Sequence, residues 1–405
     1  MDLESIPLIF VLAGLALYAV LGGADFGAGL WQLAAGGGER GRRIRDHAHH
    51  ALGPVWEANH VWIIFVLTVS WTAYPRAFSS IASTLCVALF IAGIGIILRG
   101  ASYALRAGSD EPRAIDTVFA ISSILTPFAL GAAIGGIASR RVPVGNAAGD
   151  LISSWLNPTS IFIGVLAVAF SAYLGAVYLA ADARRLDESD LEEYFRVRAL
   201  ASGAVAGALA IAGLFVIHSD ARPLYDGLIE GEGLPAGIVS ALAGLVTLVL
   251  VWRKRYELAR YCASLAVAAV VAGWALAQQP TILPGLTVDQ AASPRETLIA
   301  VIIAVLGGAV ILFPSLALLF SLVLTGRFDR ELPQEAATGP PRSPADVLRV
   351  SRPGLLLRSS AACLIAGIGF LNVAEAGWAH AIGVLSLMAF VLLTFLVIVP
   401  RDLAE

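Results

Sequence analysis

The residues able to move a proton sit where the chain is otherwise built for hydrocarbon. In Leu52-Gly53-Pro54-Val55-Trp56-Glu57-Ala58-Asn59-His60-Val61-Trp62, a carboxylate, an amide and an imidazole fall within the first two turns of an apolar run. A polar group left unsatisfied in hydrocarbon costs several kcal/mol, so such groups persist in a bilayer only where they find partners. Asp25 lies in a second stretch of this kind, Gly22-Gly23-Ala24-Asp25-Phe26-Gly27-Ala28-Gly29, and Arg99 near the end of a third run. Ionisable residues inside membrane spans tend to face the protein interior and to mark ion or proton pathways. Asp25 and Glu57 are the candidate proton carriers, with His60 as a relay because imidazole titrates near neutral pH. Arg99 does not release its proton and is their candidate electrostatic partner. The competing reading is a structural network, in which Arg99 neutralises a carboxylate and the other groups reach to the interface.

These groups need membrane-spanning elements to position them, and the composition supplies them. Of 405 residues, 58% are hydrophobic and 14% charged, against roughly 25% charged in a soluble domain. The chain therefore reads as an all-α, polytopic integral membrane protein, with membrane lipid as a constant partner. The net charge of −3 gives no sign of nucleic-acid binding, and none is expected. Apolar runs of about 17 to 25 residues mark eleven candidate helices, near 8–31, 54–74, 78–104, 115–138, 158–181, 199–218, 235–252, 261–278, 296–325, 356–372 and 377–399. The acidic start, Met1-Asp2-Leu3-Glu4-Ser5, lacks the basic segment of a cleaved signal peptide, so the first run is expected to stay as a helix. With the N-terminus outside, 22 of the 27 basic residues fall on the cytoplasmic side; the outside keeps Arg76, Arg140, Arg141, Arg222 and Arg295. This is the asymmetry of the positive-inside rule. The Pro- and Arg-containing segment 331–354 reads as a cytoplasmic linker between a domain over 1–330 and a two-helix hairpin over 355–405.

Topology then aligns the polar residues in depth. Asp25 is about two turns from the inner end of helix 1, Glu57 and His60 are in the first two turns of helix 2, and Arg99 is about one turn from the inner end of helix 3. At about 1.5 Å rise per residue, all four are expected in one buried layer below the cytoplasmic surface. Gly23 and Gly27 have the small-xxx-small spacing that lets helices approach closely. The segment His47-Ala48-His49-His50 is read as a cytoplasmic loop beside four arginines, which would repel a bound cation, so no metal is expected there. Cys86, Cys262 and Cys363 stand singly in apolar runs and read as small core residues. Trp71 reads as an interfacial anchor.

At these residues the chain resembles subunit II of the cytochrome bd family, the two-subunit quinol oxidases of prokaryotic respiratory chains. The resemblance rests on Gly23-Ala24-Asp25-Phe26-Gly27-Ala28-Gly29, Gly53 to Trp62, Ala73-Tyr74-Pro75, Leu98-Arg99-Gly100-Ala101-Ser102-Tyr103-Ala104-Leu105-Arg106, Leu156-Asn157-Pro158, and the late Gln279-Pro280…Leu283-Pro284…Leu286-Thr287 loop. It covers about residues 1–330. It implies nine transmembrane helices, as two four-helix bundles plus a peripheral helix, in a prokaryotic plasma membrane. It also implies a partner, subunit I, that carries the haems and the site of oxygen reduction, with no haem ligated by this chain and, in some members, a bound quinone. Carried over residue by residue, Asp25 and Glu57 match the family's proton-path acids and Trp62 the tryptophan linked to oxygen entry. Two positions depart from the pattern: Ala104 stands where a carboxylate is frequent, and His60 where an acid or glutamine is usual. The two C-terminal helices are additional. A secondary transporter coupled through the same acids, and a purely structural subunit, stand as alternatives.

Overall fold

The structure, a computed structural model, describes residues 2–52, 56–106, 112–324, 355–373 and 377–398. At some of these, including Glu57 and Ala104, it describes the backbone alone. Where they are described, ten of the eleven expected runs are single helices, and the run 78–104 is two. An apolar chain in hydrocarbon has no water to satisfy its backbone, and the helix satisfies it internally. The chain divides into two units, 1–323 and 324–405. The first holds α1 (Leu3–Leu33), α2 (Gly38–Leu52), α3 (Trp56–Ala73), α4 (Pro75–Thr84), α5 (Cys86–Arg106), α6 (Pro112–Ala138), α7 (Pro158–Arg185), α8 (Ser189–Asp220), α9 (Arg222–Ile229), α10 (Leu234–Trp252), α11 (Tyr256–Gln278), the strands β1 (Thr281–Leu283) and β2 (Leu286–Thr287), α12 (Val288–Ala291) and α13 (Arg295–Leu324). The second holds a helical hairpin, α14 (Leu355–Val373) and α15 (Gly377–Ile398), which pack on each other. The linker expected over 331–354 lies outside the described residues. Among the described residues, seven helices are long and apolar enough to cross a membrane, or eight if α4 and α5 count as one bent span.

α7 is the hub of the first unit, packing against α1, α6, α8 and α11. Its Leu174, Val177 and Leu179 are buried with Phe195 of α8 and Tyr256 of α11. The α1–α7 contact is made by backbone. A Cβ on Gly27 would overlap the carbonyl oxygen of Ser171 and stand 3.0 Å from Cα of Gly175. Gly23, one turn earlier, is looser: its nearest neighbour would be the end of the Leu174 side chain at 3.2 Å. The small-residue spacing thus marks a helix contact, and Gly175 is the half of it on the other helix.

Three features differ from the sequence expectation. The run read as one helix over 78–104 breaks at Leu85, and α4 and α5 meet at 81°. Hydroxyls line the helix just before the break. Ser79, Ser80 and Ser83 bond carbonyls of their own helix, and Ser80 and Ser83 accept from the backbone N–H groups of Gly145 and Ala147 at 2.9 and 2.8 Å. Such back-bonding competes with the helix ladder and bends it. The segment around His47 is not a loop but the helix α2, whose Ile44, His47 and Ala48 make a buried i, i+3, i+4 face. The cysteines are not core residues: Cys86 is exposed and the other two are partly so. In a membrane the outer surface is apolar too, so an apolar run does not tell inside from outside.

Several of the resemblance motifs are joints of the fold, and they converge at one end of it. Tyr74, before the α4 proline, donates its hydroxyl to the Glu4 carbonyl at 2.6 Å. Asn157 caps α7 by accepting from Ser160 N–H at 2.9 Å, with Pro158 at the first helical position. Thr287 forms a capping box with Gln290, and Ser293 donates through its N–H and hydroxyl to the carbonyls of Ala73 and Thr72 at 2.8 and 2.7 Å. Leu283 and Leu286 are buried with Tyr74, Leu85 and Trp155. Tyr74→Phe is expected to cost about 1 kcal/mol, the net worth of one buried hydrogen bond. It should appear as a lower thermal midpoint of the solubilised protein; an unchanged midpoint would show that the hydroxyl holds nothing.

Candidate functional site

Asp25 on α1 and Arg99 on α5 are both wholly buried, at 0% side-chain exposure, and they meet in a bidentate pair. The Arg99 guanidinium donates from Nε to Oδ2 at 2.9 Å and from Nη2 to Oδ1 at 2.6 Å. Nη2 also donates to the Asp25 backbone carbonyl at 2.7 Å. Nη1 donates to Oγ of Ser123 on α6, and Ser123 in turn donates to the Phe119 carbonyl at 2.6 Å. The guanidinium lies over the rings of Phe119, at 4.1 Å, and Phe26, at 5.2 Å. A buried ion pair recovers its desolvation cost only when geometry is good and the remaining donors are satisfied. Here each guanidinium nitrogen is engaged, and two aromatic faces cover the charge. Gly29 makes the room: a Cβ there would stand 2.8 Å from Nη1 of Arg99.

α3 brings the imidazole to the same place. His60 is buried, with its ring edge-to-face to Tyr18 at 6.0 Å and to Phe26 at 6.2 Å between centroids. Phe26 thus touches both the guanidinium and the imidazole. Residues 18–22 of α1 form a π turn, a rare irregularity found often at functional sites, and Asn59 donates through Nδ2 to the Leu21 carbonyl of that turn at 3.3 Å. Tyr18 points its hydroxyl into the interior with no hydrogen-bond partner among the described residues. Of the four residues expected in one layer, the structure brings Asp25, Arg99 and His60 together around Phe26. Glu57 is on α3, one turn before His60, and its side chain lies outside the described residues, as does that of Ala104. Trp62 is half-buried, edge-to-face with Phe65 at 6.3 Å. Trp71 is exposed and stacks on Phe78.

Sequence reading missed Ser123, Phe119, Phe26 and Tyr18. Ser122-Ser123 is a polar pair in an apolar run at a depth comparable with that of Arg99, and this was a usable signal. The aromatic residues carried none, because an aromatic in a membrane helix most often packs. His47 has its Nε2 at 3.2 Å from the Leu179 carbonyl and 3.9 Å from Oδ2 of Asp182, with its ring tilted on Phe195. Among the described residues no three His, Cys, Asp or Glu side chains group as metal ligands.

The family model described as cytochrome bd terminal oxidase subunit II matches residues 3–323. A Bacillus subtilis (strain 168) protein assigned as a cytochrome bd menaquinol oxidase subunit II is 24% identical over 218 residues, 53% of this chain and 62% of the relative. Cytochrome bd-I ubiquinol oxidase subunit 2 of Escherichia coli (strain K12) is 27% identical over 236 residues, 54% of this chain and 59% of the relative. The chain thus spans about three fifths of the length of the curated relatives it matches. The solved bd oxidase of Geobacillus thermodenitrificans superposes with a TM-score of 0.64 at 23% identity, covering 80% of this chain and 99% of the other, which establishes the likeness of fold.

Proposed function

The chain belongs to the cytochrome bd terminal oxidase subunit II family, and from that membership we propose that it is the haem-free second subunit of a membrane-bound quinol:oxygen oxidoreductase. It works beside a haem-bearing subunit I and is not catalytic alone. Each electron delivered to oxygen must be matched by a proton, so an oxidase needs a polar route through a bilayer that otherwise excludes ions. This chain supplies part of that route from the cytoplasm. The observation that carries the reading is the buried layer in which the Asp25–Arg99 pair, the His60 imidazole and the Tyr18 hydroxyl share Phe26 and the π turn of α1.

Within the route the roles divide by chemistry. Both oxygens of Asp25 already accept from Arg99, so placing a proton on Asp25 means opening the pair. The pair acts as a fixed, compensated charge that shapes the field around its neighbours, and Asp25 takes a proton only when the pair opens. Glu57 and His60, one turn apart on α3, carry protons toward it. Trp62, on the same helix, borders an apolar path for oxygen, and a quinol is the complex's reductant, leaving as quinone. The secondary-transporter reading has less support, because the ionisable layer here is closed by an ion pair and aromatic faces. The purely structural reading keeps one support of its own, the absent carboxylate at Ala104.

Glu57→Gln in the assembled complex tests the route. Oxygen consumption and proton uptake are expected to fall together, on the order of a hundredfold, the low end for loss of a positioned proton-transfer group, with haem content intact. Unchanged rates with intact haem would leave this chain a structural role only. Isolation from the native membrane without haem absorbance or quinol-dependent oxygen uptake would sink the oxidase assignment itself.

A further inference from the structure

Away from the buried pair, the ends of α7, α10 and α11 border an open pocket of about 440 Å³, within the roughly 300–1,000 Å³ of small-molecule sites. Four cations, Arg184, Arg185, Lys254 and Arg255, and one acid, Glu257, line it; Glu192, Glu193 and Asp182 beside it pair with the first three cations, and Glu257 is paired with Arg260. The wall behind them is built. Glu192, a buried carboxylate, accepts from the Tyr256 hydroxyl at 2.9 Å and from Arg184 at 3.2 Å, with the Lys254 ammonium at 3.5 Å. Arg185 is held by Asp182 at 2.6 Å. Arg255 makes no ion pair among the described residues and stands at the rim. Lys254 occupies a left-handed position (φ 58°) at the end of α10, where Arg255 N–H reaches back to the Leu250 carbonyl at 2.8 Å. Such helix ends favour glycine, so a long cationic side chain is kept at a conformational cost.

We infer that this cavity binds the phosphate group of an anionic membrane phospholipid. The shared chemistry is a phosphate oxyanion in a basic pocket, and a free phosphate would offer the same charge. The surroundings favour the lipid. Leu258, Tyr261 and Leu265 of α11 form an exposed apolar stripe at i, i+3, i+7 that runs from the cavity along a membrane-spanning helix, and Trp252 stands exposed at the end of α10. A headgroup in the cavity thus leaves its acyl chains along an apolar surface. The cavity also lies at the end of the bundle where basic residues concentrate, the side on which basic pockets between helices take anionic headgroups.

Lipid retention on the full chain, in the assembly in which it is extracted, tests this without reference to oxidase activity. The detergent-purified protein is exchanged into phosphatidylglycerol or phosphatidylcholine, and bound lipid is counted by native mass spectrometry. Phosphatidylglycerol is expected to be retained over phosphatidylcholine, and Arg255→Gln to lower its retention about fivefold, the worth of one cation near an anionic lipid. Arg255 is exposed and unpaired, so its loss leaves the fold intact; Arg253→Gln, beside the cavity but not lining it, is the control and should change retention little. Equal retention of the two lipids, or equal losses in the Arg253 and Arg255 variants, would overturn the proposal. Displacement of the lipid by millimolar inorganic phosphate would assign the cavity to a soluble phosphate instead.

Discussion

Replacing Arg99 with glutamine is expected to destabilise the protein by about 3–5 kcal/mol, because it leaves Asp25 as an uncompensated charge in a dry interior. Both side chains have 0% exposure, so no water is at hand to take over from the guanidinium. A lysine should not rescue it: an ammonium cannot reproduce the bidentate donation to Asp25 together with the bond to Ser123 and the stacking over Phe119, a combination particular to the guanidinium fork. The informative companion is the double variant Asp25→Asn, Arg99→Gln. Removing both charges is far less costly than removing one, so the double variant should recover much of the lost thermal midpoint and yield. A double variant as unstable as the sum of the singles would mean that the two side chains are not energetically coupled. This series also separates anchor from carrier. An Asp25→Asn protein that keeps its stability but loses proton uptake would make Asp25 a carrier in its own right.

Gly27→Ala is expected to destabilise the protein as well, through a single methyl group. The added carbon would overlap the Ser171 carbonyl oxygen and press on Gly175 Cα, and neither can swing aside as a side chain can. α1 and α7 must separate, and overpacking of this kind costs about 1–3 kcal/mol, more where backbone is the obstacle. Gly23→Ala, whose nearest neighbour is the mobile end of Leu174, should stay below about 1 kcal/mol. Thermal unfolding of both variants in one detergent checks the contrast, and equal midpoints would show that the helices do not meet at Gly27. Because α1 also carries Asp25 and the π turn, the Gly27 variant should disturb the ion pair as well. Fluorescence or hydrogen exchange around Trp31, whose Nε1 donates to the Ala172 carbonyl of α7 at 2.8 Å, would report that shift.

Helix positions were legible because the bilayer imposes one rule on every span: about 20 apolar residues with the backbone satisfied internally. Charge placement was legible for a related reason, since an ionisable residue in such a run is costly and must have a partner. Asp25, His60 and Arg99 could therefore be put in one layer by counting residues along the helices. The break at Leu85 and the helix over Gly38–Leu52 were not read, although both left signs in the chain. The hydroxyl run Ser79 to Thr84 and the i, i+3, i+4 set Ile44, His47, Ala48 are local patterns, but neither resembles a membrane span.

What the sequence determined by itself, then, was the class of molecule, the position of most of its helices and which buried polar residues to look for, because these depend on hydropathy and on the cost of a charge in an apolar run. Only the tertiary structure decided which groups touch. It placed Arg99 on Asp25 with Ser123 as the third member, set Phe26 between the guanidinium and the imidazole, and joined Gly27 to Gly175. The rotation of each helix about its axis settles such contacts. In a chain whose inner and outer faces are both apolar, hydrophobic periodicity carries almost no information about that rotation; packing between the helices sets it.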